Sequence, residues 1–176
     1  WISCVMRRGR IVSEKNKKKI SVVGLGKLGA PMLAVFASKG WKVTGVDLNE
    51  EIVSKVNSGI APWCEPKLDT LLNSYGKNYR ATTSLEEAVN DSDVTFVIVP
   101  TPSKVDGYFD NSFLVTSLCE IGKLIGKKNT HHMVVVTSTV MPGSMDNELK
   151  PVIVKSSGKV AGLDFGFCYN PEFIAL

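Results

Sequence analysis

Three glycines stand at G-x-G-x-x-G spacing in Gly24-Leu25-Gly26-Lys27-Leu28-Gly29, directly after the β-branched run Ile20–Val23 and before a helical pattern. A turn of this kind handles phosphate. Gly24 permits the sharp bend, Gly26 lets a pyrophosphate approach the backbone, and Gly29 lets helix and strand pack closely. The helix start behind the turn offers free N–H groups and the positive end of the helix dipole to an anion. Glycines cluster in ordinary tight turns too, so the strand–turn–helix context carries the reading. Asp47 closes the next strand, 23 residues after Gly24. A carboxylate there accepts hydrogen bonds from both adenosine ribose hydroxyls and repels a 2′-phosphate, which favours NAD over NADP. The plain alternative is a cap for the helix beginning at Glu50.

Further polar groups fall after later strands. Pro100-Thr101-Pro102 follows the run Val94–Val99. Two prolines stiffen that loop and Thr101 offers a hydroxyl, either to a cofactor or merely within a rigid turn. Ser138-Thr139 follows Met133–Thr137 and precedes Pro142, so one hydroxyl is a candidate helix cap and the pair a candidate cofactor contact. Asn170-Pro171-Glu172 follows Phe165–Tyr169, where Glu172 reads as a general base, a substrate anchor, or an exposed loop acid. His131 and His132 are adjacent at a strand entry and point to opposite faces, which disfavours a shared metal. No Ser–His–Asp arrangement can be assembled.

These groups need elements to carry them, and the pattern supplies short apolar runs alternating with helical segments. Helices are expected over Leu28 to Lys39, Glu50 to Asn57, Pro66 to Asn73, Asn111 to Ile125 and Gly143 to Lys155, with a capping box at Ser84 and Glu87. Strands are expected at Ile20–Val23, Lys42–Val46, Tyr79–Thr82, Val94–Val99, Met133–Thr137 and Phe165–Tyr169. Such alternation predicts an α/β fold: a Rossmann-type doubly wound, mainly parallel six-stranded sheet in the order 3-2-1-4-5-6, with helices on both faces. Apart from the His131–His132 pair, every candidate polar group then lies beyond the carboxyl end of a strand.

With 176 residues, 44% of them hydrophobic and 22% charged, the chain suits one globular domain and excludes disordered and collagen-like classes. Its net charge of +4 is unevenly placed. Residues 1–19 hold seven basic groups against Glu14 alone, whereas residues 20–176 hold fourteen basic and sixteen acidic groups. The first segment is expected to be a solvated, disordered or added arm, with 20–176 the folded domain, and no nucleic-acid or membrane partner is expected. Basic residues before the apolar run from Ile20 to Ala37 imitate a signal peptide, but Lys27 interrupts the run, so export is not expected. Cys4, Cys64, Cys119 and Cys168 lie 60, 55 and 49 residues apart, without CxxC or other metal-ligand spacing. Reduced thiols in a cytoplasmic protein are the expectation, with no metal.

Taken in order, Gly24 to Gly29, Val43 to Asp47, Glu65-Pro66 with Leu71-Leu72, Val99-Pro100-Thr101-Pro102, Asp106-Gly107, Ser138-Thr139-Val140 and Asn170-Pro171-Glu172-Phe173 are specific as a set. From about residue 18 to 176 the chain resembles the N-terminal NAD-binding domain of the UDP-glucose/GDP-mannose dehydrogenases, the nucleotide-sugar 6-dehydrogenases. That resemblance implies NAD-dependent four-electron oxidation of a sugar C6 alcohol to a carboxylate, with two NAD reduced in turn through a cysteine-bound intermediate. It implies pyrophosphate binding at Gly24, Gly26 and Gly29 with the intervening Leu25, Lys27 and Leu28, and ribose binding at Asp47. Pro100, Thr101, Pro102 and Ser138 would line the cofactor. Thr139 would also place the catalytic water, and Glu172 would assist proton transfer and touch the substrate. The expected partners are a nucleotide sugar, UDP-linked by preference, and a second copy in a full-length homodimer. The family's nucleophilic cysteine belongs to a later glycine-rich motif in the substrate domain, and none of the four cysteines here matches it. This stretch alone is therefore expected to bind NAD without turnover. The start Gly-Leu-Gly-x-x-Gly-x-x-Met also resembles β-hydroxyacid dehydrogenases, although their Ser-Gly-Gly segment is missing; a non-catalytic NAD-sensing module is the alternative of a different class.

Overall fold

The computed structural model describes residues 18–105 and 107–172. Expectations for the basic arm up to Lys17, Cys4, Asp106 and Phe173 lie outside these residues. The six expected strands form one sheet: β1 (Lys19–Val23), β2 (Lys42–Val46), β3 (Tyr79–Thr82), β4 (Val94–Val97), β5 (His132–Val136) and β6 (Phe165–Tyr169). They are ordered β3-β2-β1-β4-β5-β6, and every adjacent pair is parallel. The order reverses between β1 and β4, with Val23 opposite Val97 at the upper end.

Side-chain alternation divides the apolar residues between two layers. On one face Ile20, Val22 and Val43 meet Ala30, Leu33, Ala34 and Ala37 of α1 (Gly29–Ser38), Val56 of α2 (Glu50–Asn57) and Leu68 and Leu72 of α3 (Leu68–Tyr75). On the other, Val23, Val97, Val134 and Val136 meet α4 (Leu85–Asn90), α5 (Ser112–Lys127) and α6 (Lys150–Ser157). The α5 contribution is the stripe Leu114, Leu118, Ile121 and Ile125, all essentially inaccessible to solvent. Among the described residues no helix is long and apolar enough to cross a membrane.

Several local expectations are corrected. The helix expected from Gly143 begins instead with a π-helical turn, Met145–Leu149, which passes into α6 at Lys150-Pro151. Pro151 has no N–H to give the preceding turn, and this wider winding is one way to accommodate it. The helix expected from Pro66 starts at Leu68, because Lys67 adopts a left-handed conformation with φ +66°. Ser84 caps α4 by accepting from Glu87 N at 3.2 Å, but Glu87 does not complete the box. Its carboxylate pairs with Arg80 and with Thr82 Oγ1, while Ser84 N donates to Thr82 Oγ1. Strand β4 ends at Val97, two residues early, where the chain turns toward the Pro100 loop.

At the amino end of the sheet a buried polar chain crosses three strands. Ser21 Oγ meets Ser92 Oγ at 3.0 Å and Thr95 Oγ1 at 2.7 Å, and Thr95 Oγ1 meets His132 Nε2 at 2.8 Å. Lys128 Nζ lies 3.2 Å from His132 Nδ1 and also donates to the carbonyls of Val89 and Ser92. His132 is 1% exposed, whereas its neighbour His131 faces solvent. Burial first, and the nearby Lys128 charge second, lower the His132 pKa to about 4.

Candidate cofactor and reaction site

The glycine turn is built by close approach. Gly24 has φ +94°, and a side chain there would overlap the Ile98 carbonyl; one at Gly29 would overlap the Gly24 carbonyl. Gly26 differs, because a Cβ placed on it meets nothing within 4 Å. That space lies before the first turn of α1, where Gly26, Lys27 and Leu28 N–H groups have no acceptor among the described residues. A tight turn needs only Gly24 and Gly29. The glycine facing open space beside unpaired donors is what an anion-binding turn adds, and it fits a dinucleotide pyrophosphate.

Asp47 follows β2 beside this turn and holds both itself and the turn in place. Its Oδ2 accepts from Leu25 N at 2.9 Å and its Oδ1 from Asn49 N at 2.9 Å. The cap of α2 is Asn49, whose Oδ1 accepts from Glu51 N, so Asp47 is not the helix cap. Leu25 is buried, while the Lys27 side chain is exposed beside the backbone N–H groups of the turn. Gly24, Asp47 and Pro100 line one cleft of about 540 Å³ at the point where strand order reverses. Leu48, Thr83, Leu85, Phe113, Thr116 and Glu120 stand among its other walls. Leu48 is 92% exposed and Phe113 53%, leaving two apolar side chains at its mouth. Sequence reading missed these walls. Phe113 had a signal, being an aromatic residue in the exposed first turn of a helix, but Thr83 and Glu120 had none.

Beyond β4 and β5 two loops are stitched together. Ser138 Oγ donates to the Val99 carbonyl at 2.6 Å, and Thr101 Oγ1 donates to the Thr139 carbonyl at 2.7 Å. Ser138 is buried and its hydroxyl is spent on Val99, so it neither caps a helix nor faces the cleft. Pro102 is exposed, and its carbonyl accepts from Asp110 N, turning the loop back on itself. Thr139 and Glu172, distant in sequence, line a second hollow of about 640 Å³ with Met141, Pro142, Tyr169 and Pro171. Asn170 Nδ2 donates to Glu172 Oε1 at 3.1 Å, steadying the carboxylate. Another missed residue is Trp63, whose indole Nε1 donates to the Leu25 carbonyl at 2.8 Å.

A doubly wound parallel sheet with an open glycine turn after β1 and an acid after β2 defines a Rossmann-type dinucleotide-binding domain. Comparison with known proteins narrows this. The chain belongs to the UDP-glucose/GDP-mannose dehydrogenase family, whose NAD binding domain matches residues 18–175. GDP-mannose 6-dehydrogenase of Pseudomonas aeruginosa is 42% identical over 158 residues, covering 89% of this chain and 36% of that protein. UDP-glucose 6-dehydrogenase of Haloferax volcanii is 38% identical over 157 residues, with coverages of 89% and 36%. Among solved structures, a ternary complex of the Pseudomonas aeruginosa GDP-mannose dehydrogenase superposes with a TM-score of 0.86 at 42% identity, covering 89% of this chain and 36% of that one. UDP-glucose dehydrogenase from Pyrobaculum islandicum gives 0.84 at 32% identity, covering 95% and 38%. The chain thus spans little more than a third of the length of the relatives it matches, and its cofactor is NAD.

Proposed function

We propose that this chain is the NAD-binding portion of a nucleotide-sugar 6-dehydrogenase that oxidises a sugar C6 alcohol to a carboxylate. The observation carrying this reading is the convergence of Gly26, Asp47, Thr101, Thr139 and Glu172 at the carboxyl edge of one sheet, in a chain of this family. Bound NAD supplies the hydride acceptor. The unpaired N–H groups at Gly26, Lys27 and Leu28 hold the pyrophosphate, and Asp47 accepts hydrogen bonds from the adenosine ribose. The apolar cleft walled by Leu48, Leu85 and Phe113 takes the adenine, which is flat and largely apolar. The Thr101 loop continues the cofactor site toward β5.

Thr139 and Glu172 face the reacting end. Glu172, held by Asn170, serves as a proton acceptor and substrate contact, and Thr139 positions water beside it. The substrate class is a nucleoside-diphosphate hexose. Relatives are named for GDP-mannose, UDP-glucose and UDP-N-acetyl-D-mannosamine, so both bases stand as candidates. A cytoplasmic location and a homodimeric full-length enzyme belong to the same reading.

The test is spectrophotometric, on the full-length protein from the same reading frame. Two NADH should form per sugar from one nucleotide sugar, and Glu172→Gln should lower kcat more than it raises KM. No NADH from any GDP- or UDP-hexose would overturn the assignment of activity.

A further inference from the structure

Trp63 lies in the segment between α2 and α3, far in sequence from the glycine turn yet bonded to its middle. The segment is fastened by side chains from α3: Asp69 Oδ1 accepts from Ala61 N at 2.6 Å, and Asn73 Nδ2 donates to the Gly59 carbonyl at 3.0 Å. So held, Trp63 packs its half-buried ring against the α1–α3 core layer and gives its indole N–H to Leu25 O at 2.8 Å. Leu25 is the residue between Gly24 and Gly26. It belongs to no strand or helix, and side chains hold both its backbone groups: Asp47 takes the N–H and Trp63 the carbonyl.

We propose that Trp63 is a positioning residue for the cofactor pyrophosphate, acting through Leu25; this rests on the NAD reading of the turn. In a trans peptide the N–H points opposite to the carbonyl. Holding Leu25 C=O against the indole therefore fixes the direction of Gly26 N–H, the first unpaired donor of the turn, away from Trp63. Gly26 has neither a side chain nor a neighbour within 4 Å of its Cβ position to set that plane by packing. Without the indole N–H the Leu25–Gly26 peptide is free to rock. The Gly26 donor must then be ordered when the anion arrives, whereas Lys27 N–H stays set by the Gly26 carbonyl, which accepts from Ala30 N at 3.1 Å. That cost weakens binding of a phosphate but not of a nucleoside. The ribose contact is spared, because Asp47 keeps its own anchor at Asn49 N.

The test compares wild type with W63F for NAD, ADP-ribose and adenosine by calorimetry, or by ligand-observed NMR for adenosine, alongside thermal melts. The expected result is a dissociation constant raised about 3- to 10-fold for NAD and ADP-ribose, the worth of one hydrogen bond, with adenosine within about twofold. Unchanged ADP-ribose affinity overturns the proposal, and so does an equal loss for all three ligands. If W63F does not fold, benzothienylalanine placed at position 63 removes the N–H while keeping the ring shape, and the same comparison decides. Wild type that binds adenosine but no ADP-ribose refutes the pyrophosphate reading of the turn itself, a result distinct from failure of the Trp63 assignment.

Discussion

The Asp47 carboxylate and the Leu25 amide are joined by a 2.9 Å hydrogen bond, so the group proposed to hold the ribose also holds the glycine turn. Recognition of the two halves of a dinucleotide is therefore not separable at this residue. Removing the carboxylate frees two backbone N–H groups, those of Leu25 and Asn49. We expect Asp47→Ala to cost about 1–3 kcal/mol of stability and to weaken NAD on the order of tenfold or more. Calorimetric titration with NAD and NADP, alongside denaturant melts, measures both, and the preference for NAD should shrink in the variant. Equal affinity of wild type for the two cofactors would remove Asp47 from the ribose.

The three turn glycines should separate by mechanism. Gly26→Ala meets open space, so its folding stability should stay within about 1 kcal/mol of wild type. Its NAD affinity should nevertheless fall sharply, because the methyl group occupies the anion's place. Gly24→Ala and Gly29→Ala collide with backbone and should each destabilise by about 3 kcal/mol or more. A Gly26→Ala protein that binds NAD as tightly as wild type would contradict the cradle.

Acid sensitivity should trace to His132 well before the carboxylates titrate. Its folded pKa of about 4 lies below the ordinary 6.5, so the fold favours neutral imidazole. That contribution is complete above pH 6.5 and is lost as pH falls toward 4. Linkage gives a loss of about 2 kcal/mol between pH 7 and pH 5. Lys128, Asp93 and His131 are the charged or titratable groups near it. Urea midpoints at the two pH values should converge in His132→Gln, and a wild-type curve flat across that interval would refute the assignment.

Lys67 offers a stabilising substitution. A lysine at φ +66° pays a backbone cost that glycine does not, and its side chain is exposed. Lys67→Gly should raise stability by about 0.5–1 kcal/mol, read as a higher melting temperature. A lower one would show that the side chain makes a contact that outweighs the conformation.

Strand order and parallel direction were legible because runs such as Val94–Val97 and His132–Val136 are almost wholly apolar, as strands covered on both faces must be. The carboxyl edge was legible for the same reason, since each candidate polar group terminates such a run. What periodicity could not show were partners chosen across space. Nothing local distinguishes Ser138 bonding Val99 from Ser138 capping a helix, or Glu87 turning to Arg80 from Glu87 completing its box. The π-helical turn was hidden because one inserted residue leaves the apolar pattern of Met145, Leu149 and Ile153 intact. Trp63 was hidden because its target, Leu25, is 38 residues away.

The two hydroxyl bonds between the β4 and β5 loops run in opposite senses, Ser138 reaching back to Val99 while Thr101 reaches forward to Thr139. One crosslink leaves relative rotation about every axis through it, whereas two at separate points leave only rotation about the line joining them. The Pro100–Thr101 and Ser138–Thr139 segments are thus tied as a pair. A displacement across that line imposed on one segment is passed to the other.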